Sequence, residues 1–180
     1  MMEVEMKIPV PDLQDVRNRL IGLGFRHMEM RDERDVYYNA VDRDFGKTDE
    51  ALRVRVAGSE CTLTYKGPRL RMHGLKAREE LTVHLDSISA MEEILERLGL
   101  TRVMEVRKRR EVFRSGEVTV ALDEVEGLGS YVEIEMVVSD EVEKAKNILG
   151  ETRNLLGIDG EPVNLSYLEM LLVKRSAVRS

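Results

Sequence analysis

A single cysteine in 180 residues leaves no internal disulfide and no thiolate cluster, and at that length the chain can bury a core without either. Apolar residues at 42% and charged ones at 34% exclude a disordered chain, and a formal net charge of −6 argues against a general nucleic-acid binder, whose surface must neutralise phosphate. The start, MMEVEMK, lacks the profile of an export signal, and no run approaches the roughly 20 apolar residues of a membrane span, so a cytoplasmic setting without a membrane is expected.

Residues 2–8 alternate Glu3, Glu5 and Lys7 with Val4, Met6 and Ile8, which on a strand sorts charge onto one face and apolar side chains onto the other. Leu13, Val16, Leu20 and Leu23 then recur at helical spacing, with Asp12 as cap and Gly22 or Gly24 as stop. Strands are predicted over 34–39, 51–57, 61–67 and 76–85. A second helix carries Ile88, Met91, Ile94, Leu95 and Leu98 on one stripe, between a Ser87 cap and a Gly99 stop.

Strands at 103–113 and 117–124 flank a hairpin turn, RSGE, and another follows at 131–138. A third helix with Val142, Ala145, Ile148 and Leu149 is expected to break near Gly150, and a short fourth covers NLSYLEMLL. The segments VRNRLIGLGFRHM and MEEILERLGLTRVM resemble one another, a weak internal duplication. Residues 1–173 read as one domain and 174–180 as a frayed basic tail.

A wet sheet face explains one such strand, but not the way several sort by sign. Arg53, Arg55, Lys66 and Arg78 put cations on some strands, whereas Glu3, Glu5, Asp123, Glu133 and Glu135 put carboxylates on others. If the strands close into a barrel with this face inward and helices outside, like charges about 4 Å apart cost about 4 kcal/mol each even at an effective dielectric near 20. Carboxylates call for hard divalent cations, Mg²⁺ or Mn²⁺, and the cations call for a phosphate chain; a structural charge network is the competing reading. On 103–113, periodicity alone does not choose between the face of Arg107 and Arg109 and that of Lys108 and Arg110.

Glu3-Val4-Glu5-Met6-Lys7 resembles the Glu-x-Glu-x-Lys signature of the CYTH superfamily, the triphosphate tunnel metalloenzymes. Leu52-Arg53-Val54-Arg55, Thr64-Tyr65-Lys66-Gly67-Pro68, Arg78-Glu79-Glu80, Lys108-Arg109-Arg110, Asp123 and Glu133-Ile134-Glu135 follow in that family's order. LDEVEGLGSYVEIE and the closing SYLEML look most like class IV adenylate cyclases and their archaeal relatives. The resemblance implies an α+β fold, a closed or nearly closed eight-stranded antiparallel barrel with a polar lumen and helices packed outside, in a homodimer that binds ATP or another triphosphate with Mg²⁺ or Mn²⁺.

By position, Glu5, Glu133 and Glu135 would hold metal, with Glu3 and Asp123 near it. Lys7, Arg53, Arg55, Lys66, Lys108 and Arg110 would grip phosphate, with Arg78 and Glu80, and less clearly Lys76, supporting the lumen. Lys7 would act in catalysis beside Glu5, Asp123, Glu133 and Glu135. The reaction implied is conversion of ATP to cyclic AMP and pyrophosphate. Alternatives are hydrolysis of tripolyphosphate, thiamine triphosphate or a nucleotide in the same tunnel, and non-catalytic binding of a nucleotide or polyphosphate. His27, His73 and His84 show no metal-ligand spacing, and Tyr37, Tyr38, Phe45 and Tyr65 are candidates to stack on a base. RLRMHG, residues 69–74, is either a basic loop at the tunnel mouth or a solvated one.

Overall fold

The computed structural model describes residues 2–72, 75–139 and 141–178, and within these leaves aside the side chains of 70–77. His73, Gly74 and the side chain of Lys76 therefore lie outside the described residues. The strands are β1 (Met2–Pro9), β2 (Arg26–Asn39), β3 (Ala51–Ala57), β4 (Glu60–Lys66), β5 (Leu70–Met72), β6 (Leu75–His84), β7 (Thr101–Ser115), β8 (Val118–Val125) and β9 (Gly129–Val138). The helices are α1 (Leu13–Gly22), α2 (Phe45–Thr48), α3 (Ile88–Arg97), α4 (Val142–Leu155) and α5 (Tyr167–Val178).

Eight strands pair antiparallel in the order β1-β9-β8-β7-β2-β3-β4-β6, and β6 returns to β1 through Met2↔Glu79 to Glu5↔Lys76, which closes the barrel; β5 is a short flap on β6. Every predicted strand is present. β2 begins at Arg26 rather than near 34, because it forms a long ladder with β7 that runs from Arg26↔Arg114 to Asn39↔Thr101.

The helix ends follow their caps. Asp12 accepts the Gln14 N–H at 2.7 Å, and Ser87 accepts that of Ala90 at 3.2 Å. Both α1 and α3 stop at a leucine followed by a left-handed glycine, Gly24 (φ 79°) and Gly99 (φ 87°), with the next residue's N–H bonding back to Leu20 or Leu95. These are the two similar segments of the sequence, and the strands they feed, β2 and β7, lie side by side.

α4 differs from expectation. It runs through Gly150 without a break, since a helical glycine costs only about 1 kcal/mol against alanine and Ala145, Leu149 and Thr152 are buried along its length. α5 also reaches Val178, so most of the expected frayed tail is helical.

The main apolar core lies outside the barrel. Val4, Ile8, Val120, Val132 and Ile134 on the outer faces of β1, β8 and β9 pack with Leu20 of α1 and Leu149 of α4, all essentially inaccessible to water. Burying side chains of that size contributes about 1.5–3 kcal/mol each. α3 covers Val36, Tyr38 and Val54 with Leu95. At one end the inward alternation turns apolar, with Tyr37, Val106, Val125 and Tyr131, and there α5 inserts Tyr167. Among the described residues, no helix is long and apolar enough to cross a membrane.

Candidate active site

The charged faces meet in one cavity of about 370 Å³. Its wall includes every cation expected to grip phosphate, Lys7, Arg53, Arg55, Lys66, Lys108 and Arg110, together with Arg78 and the carboxylates Glu3, Glu5, Glu133 and Glu135. The choice on β7 is resolved in favour of Lys108 and Arg110, which are buried, whereas the side chains of Arg107 and Arg109 are each 62% exposed.

Register explains the convergence. In an antiparallel ladder, residues directly opposite share a face, and β1 sets Glu5 opposite Glu135 and Lys7 opposite Glu133. On the other side of β9, Ala121 faces Glu133 across β8, and β8 sets Asp123 opposite Arg110 of β7.

Two ionic networks line the tube. In the first, Lys7 Nζ lies 2.9 Å from Glu133 and 3.9 Å from Glu5. Arg110 donates two N–H bonds to Asp123 at 2.7 and 2.5 Å and a third to Glu133. Burial opposes the charge on Glu133, but Lys7, Arg110 and Lys108 outweigh it and hold the carboxyl well below its usual range. Burial likewise opposes the charge on Lys7, and Glu133 with Glu5 more than restores it.

Sequence reasoning missed the second network. Glu33 and Asp35 on β2 are both 2% exposed. Asp35 accepts two N–H bonds from Arg55 at 2.6 and 2.7 Å, and Glu33 stands 3.2 Å from Arg55 and 3.3 Å from Lys108. Burial pushes Asp35 upward, but Arg53 and Arg55 bring it down to about 2. The readable signal was the alternation Arg31, Glu33, Asp35, Tyr37, four inward side chains in a row. Tyr167 was also missed: its hydroxyl donates to Asp123 at 2.7 Å from inside the lumen.

Asp123 is fully buried, and Arg110 and Tyr167 take its two oxygens while Lys108 stands 3.7 Å away. Lys66 pairs with Glu80, and Arg78 donates to the carbonyls of Gly67 and Asp49 at 2.8 and 2.7 Å. Arg53 is 9% exposed, and its Nε, shut from solvent, has no acceptor among the described residues. Arg53 as a residue lines the cavity, and a guanidinium there suits an anionic occupant.

The Glu3, Glu5 and Glu135 edge has the opposite character. Burial raises Glu3 to about 8; Lys66 offsets part of this, and Glu135, Glu5 and Glu80 add to it. Glu135 is raised too, by burial and by Glu133 and Glu5 against the pull of Arg110. Among the described residues no three acidic, imidazole or thiolate groups converge tightly enough to hold a metal ion as they stand. The donors are nevertheless hard oxygens crowded with their own charge, and a hard divalent cation relieves that crowding, so the set fits Mg²⁺ or Mn²⁺.

A carboxyl whose folded pKa is raised favours folding in its protonated form. For Glu3, metal-free protein is therefore expected to keep this contribution in full below about pH 4.5 and to lose it progressively as pH climbs to about 8. Thermal midpoints measured with chelator across this window should fall more steeply for the wild type than for Glu3→Gln; parallel curves would contradict the shift.

Of the base-stacking candidates, Tyr37 and Phe45 line the cavity, Tyr38 packs under α3 while touching its wall, and Tyr65 bonds Glu50 through its hydroxyl at 2.5 Å. His27 lies outside the barrel, 3.3 Å from Glu111 and edge-on to Phe113.

Comparison with known proteins matches residues 1–164 to the family model of the CYTH domain. A Methanocaldococcus jannaschii protein, provisionally named an adenylate cyclase, is 37% identical over 173 residues, 94% of this chain and 98% of that one. A solved structure from Pyrococcus horikoshii OT3 superposes with a TM-score of 0.87 at 38% identity, covering 96% of this chain and 99% of its own. A Hippeastrum protein shares the fold at a TM-score of 0.71 and 22% identity over 98% of this chain and 95% of its own; it is described as a provisional adenylyl cyclase with a dominant triphosphatase activity. On the family match and the archaeal relative, the chain belongs to the CYTH domain family.

Proposed function

We propose that the protein is a metal-dependent enzyme acting on a nucleoside triphosphate, and that it converts ATP to cyclic AMP and pyrophosphate. The observation that carries this reading is the composition of one cavity wall: cations and carboxylates through the lumen, continuous with Tyr37, Phe45, Leu168 and Leu172. A bare polyphosphate has no use for that apolar stretch, whereas a nucleoside does. The M. jannaschii relative's name supports cyclisation.

In this reading Arg53, Arg55, Lys66, Lys108 and Arg110 exchange some of their carboxylate partners for phosphate oxygens and hold the chain in line. Glu3, Glu5 and Glu135 would hold the divalent cation, with Glu133 and Asp123 anchoring Lys7 and Arg110 behind it. That cation supplies neutralisation of phosphate charge and a lowered pKa for the attacking 3′ hydroxyl. Lys7, Lys108 and Arg110 stabilise the charge gathering on the departing pyrophosphate.

A second reading has water attack the terminal phosphorus. It is favoured by the density of cations along the tube, which serve any triphosphate, and by the reported activity of the Hippeastrum protein, which shares the fold. Incubation with ATP and Mn²⁺ or Mg²⁺, followed by product identification, separates the two. Cyclic AMP with pyrophosphate is expected. ADP with orthophosphate, or faster turnover of tripolyphosphate, would replace the cyclase with the triphosphatase, and no product would overturn both.

A further inference from the structure

Tyr167 belongs to none of the charged strands, yet it stands among three of the cations they supply. Lys7 Nζ lies 4.1 Å from its ring centroid and Lys108 Nζ 5.1 Å, and its hydroxyl donates to the Asp123 carboxylate that grips Arg110. The residue is 6% exposed.

Its placement is fixed twice over. Tyr131 packs edge-on at 5.3 Å and 69°. The first turn of α5 is locked by a reciprocal cap, in which Glu169 accepts the Ser166 N–H at 2.6 Å and the Ser166 hydroxyl accepts the Glu169 N–H at 3.2 Å. Arg69 in turn holds Glu169 at 2.8 Å and Asp49 through its backbone and side chain.

We propose that Tyr167 is the positioning residue for the ammonium groups of Lys7 and Lys108, its ring face aiming both at the phosphate chain. The assignment rests on the triphosphate reading above. A carboxylate can hold a lysine in place, but it cancels the charge that a phosphate needs, and an arriving phosphate must displace it. A ring face attracts the ammonium through its quadrupole and keeps the positive charge intact. Glu133 beside Lys7 and Glu33 beside Lys108 are partners that phosphate competes with; the ring is a partner that remains behind the cation after the exchange. The bond from the hydroxyl to Asp123 fixes the ring against the wall from which it acts. Burial, then Glu133 and Asp123, raise the phenol's pKa well above its ordinary value, so it stays a donor at any working pH.

The test replaces Tyr167 in the full chain by phenylalanine and by phenylalanines with one, two and three ring fluorines, which keep shape and apolarity while draining the ring face of negative potential. Binding of inorganic tripolyphosphate is measured by calorimetry without metal, and thermal midpoints are followed in parallel. Affinity is expected to fall stepwise, by about tenfold from phenylalanine to the trifluoro ring, with midpoints nearly constant. The same series in a Lys7→Met background should have a shallower slope. A flat series in a protein that binds tripolyphosphate overturns the role of the ring alone. Failure of the wild type to bind tripolyphosphate with Mg²⁺ as well as without it overturns the triphosphate reading and this assignment with it.

Discussion

Arg110→Met is expected to destabilise the protein by about 3–5 kcal/mol, the usual consequence of removing one partner from a buried ion cluster. Asp123, with no solvent exposure, and Glu133, at 5%, would each lose charge-assisted hydrogen bonds that water cannot replace. For a domain of this size each kcal/mol moves the melting temperature by about 2–4 °C, so a drop of about 6–20 °C should be visible by calorimetry. Triphosphate turnover should vanish as well. The double variant Arg110→Met with Asp123→Leu separates the two effects: it removes the stranded carboxylate, so part of the stability should return while activity does not. A single variant as stable as the wild type would mean that water reaches these carboxylates.

Glu135→Gln is expected to behave in the opposite way. Its carboxyl lies opposite Glu5 across the β1–β9 ladder and is raised by burial and by Glu133 and Glu5, so removing its charge relieves repulsion. Stability should hold or rise slightly. Metal-dependent turnover should fall by at least about 100-fold, the upper end of what disturbing a metal site usually costs. Titration with Mn²⁺ and the assay with ATP check both halves. Full activity in this variant would remove Glu135 from the metal site.

The barrel was legible because nearly every strand carries a large contrast between its faces. Val4, Met6 and Ile8 against Glu3, Glu5 and Lys7 leave little doubt about period, and the same holds for β3, β8 and β9. The first half of β2 was not legible. In residues 26–34 the outward positions include Asp32, 81% exposed by side chain, and Met30, 53% exposed, so both faces are wet or mixed and no contrast marks the strand. That stretch is held by its pairing with β7, and hydrogen bonds to a partner strand leave no trace in local hydropathy.

The site was half legible for a related reason. Charges on strands can be assigned a face by counting in twos, which brought Lys7, Arg53, Arg55, Glu133 and Glu135 together before any coordinate. Tyr167 comes from a helix that turns back over the tube, and its place depends on chain direction between residues 139 and 166, which periodicity does not encode. Whether Asp123 faces a cation or a metal is likewise a matter of which side chain arrives opposite it. Register with Arg110 settles its neighbour, and register is a tertiary quantity.

The ladder between residues 2–9 and 131–138 has a consequence for biosynthesis. A nascent chain emerging from the ribosome can pair Glu3 and Glu5 once β6 is translated, but Lys7 meets Glu133 only when β9 follows and closes the other side of β1. In the proposed reading, capture of a triphosphate waits for that seam, because Glu133 and Glu135 complete the lumen only once β9 is in place.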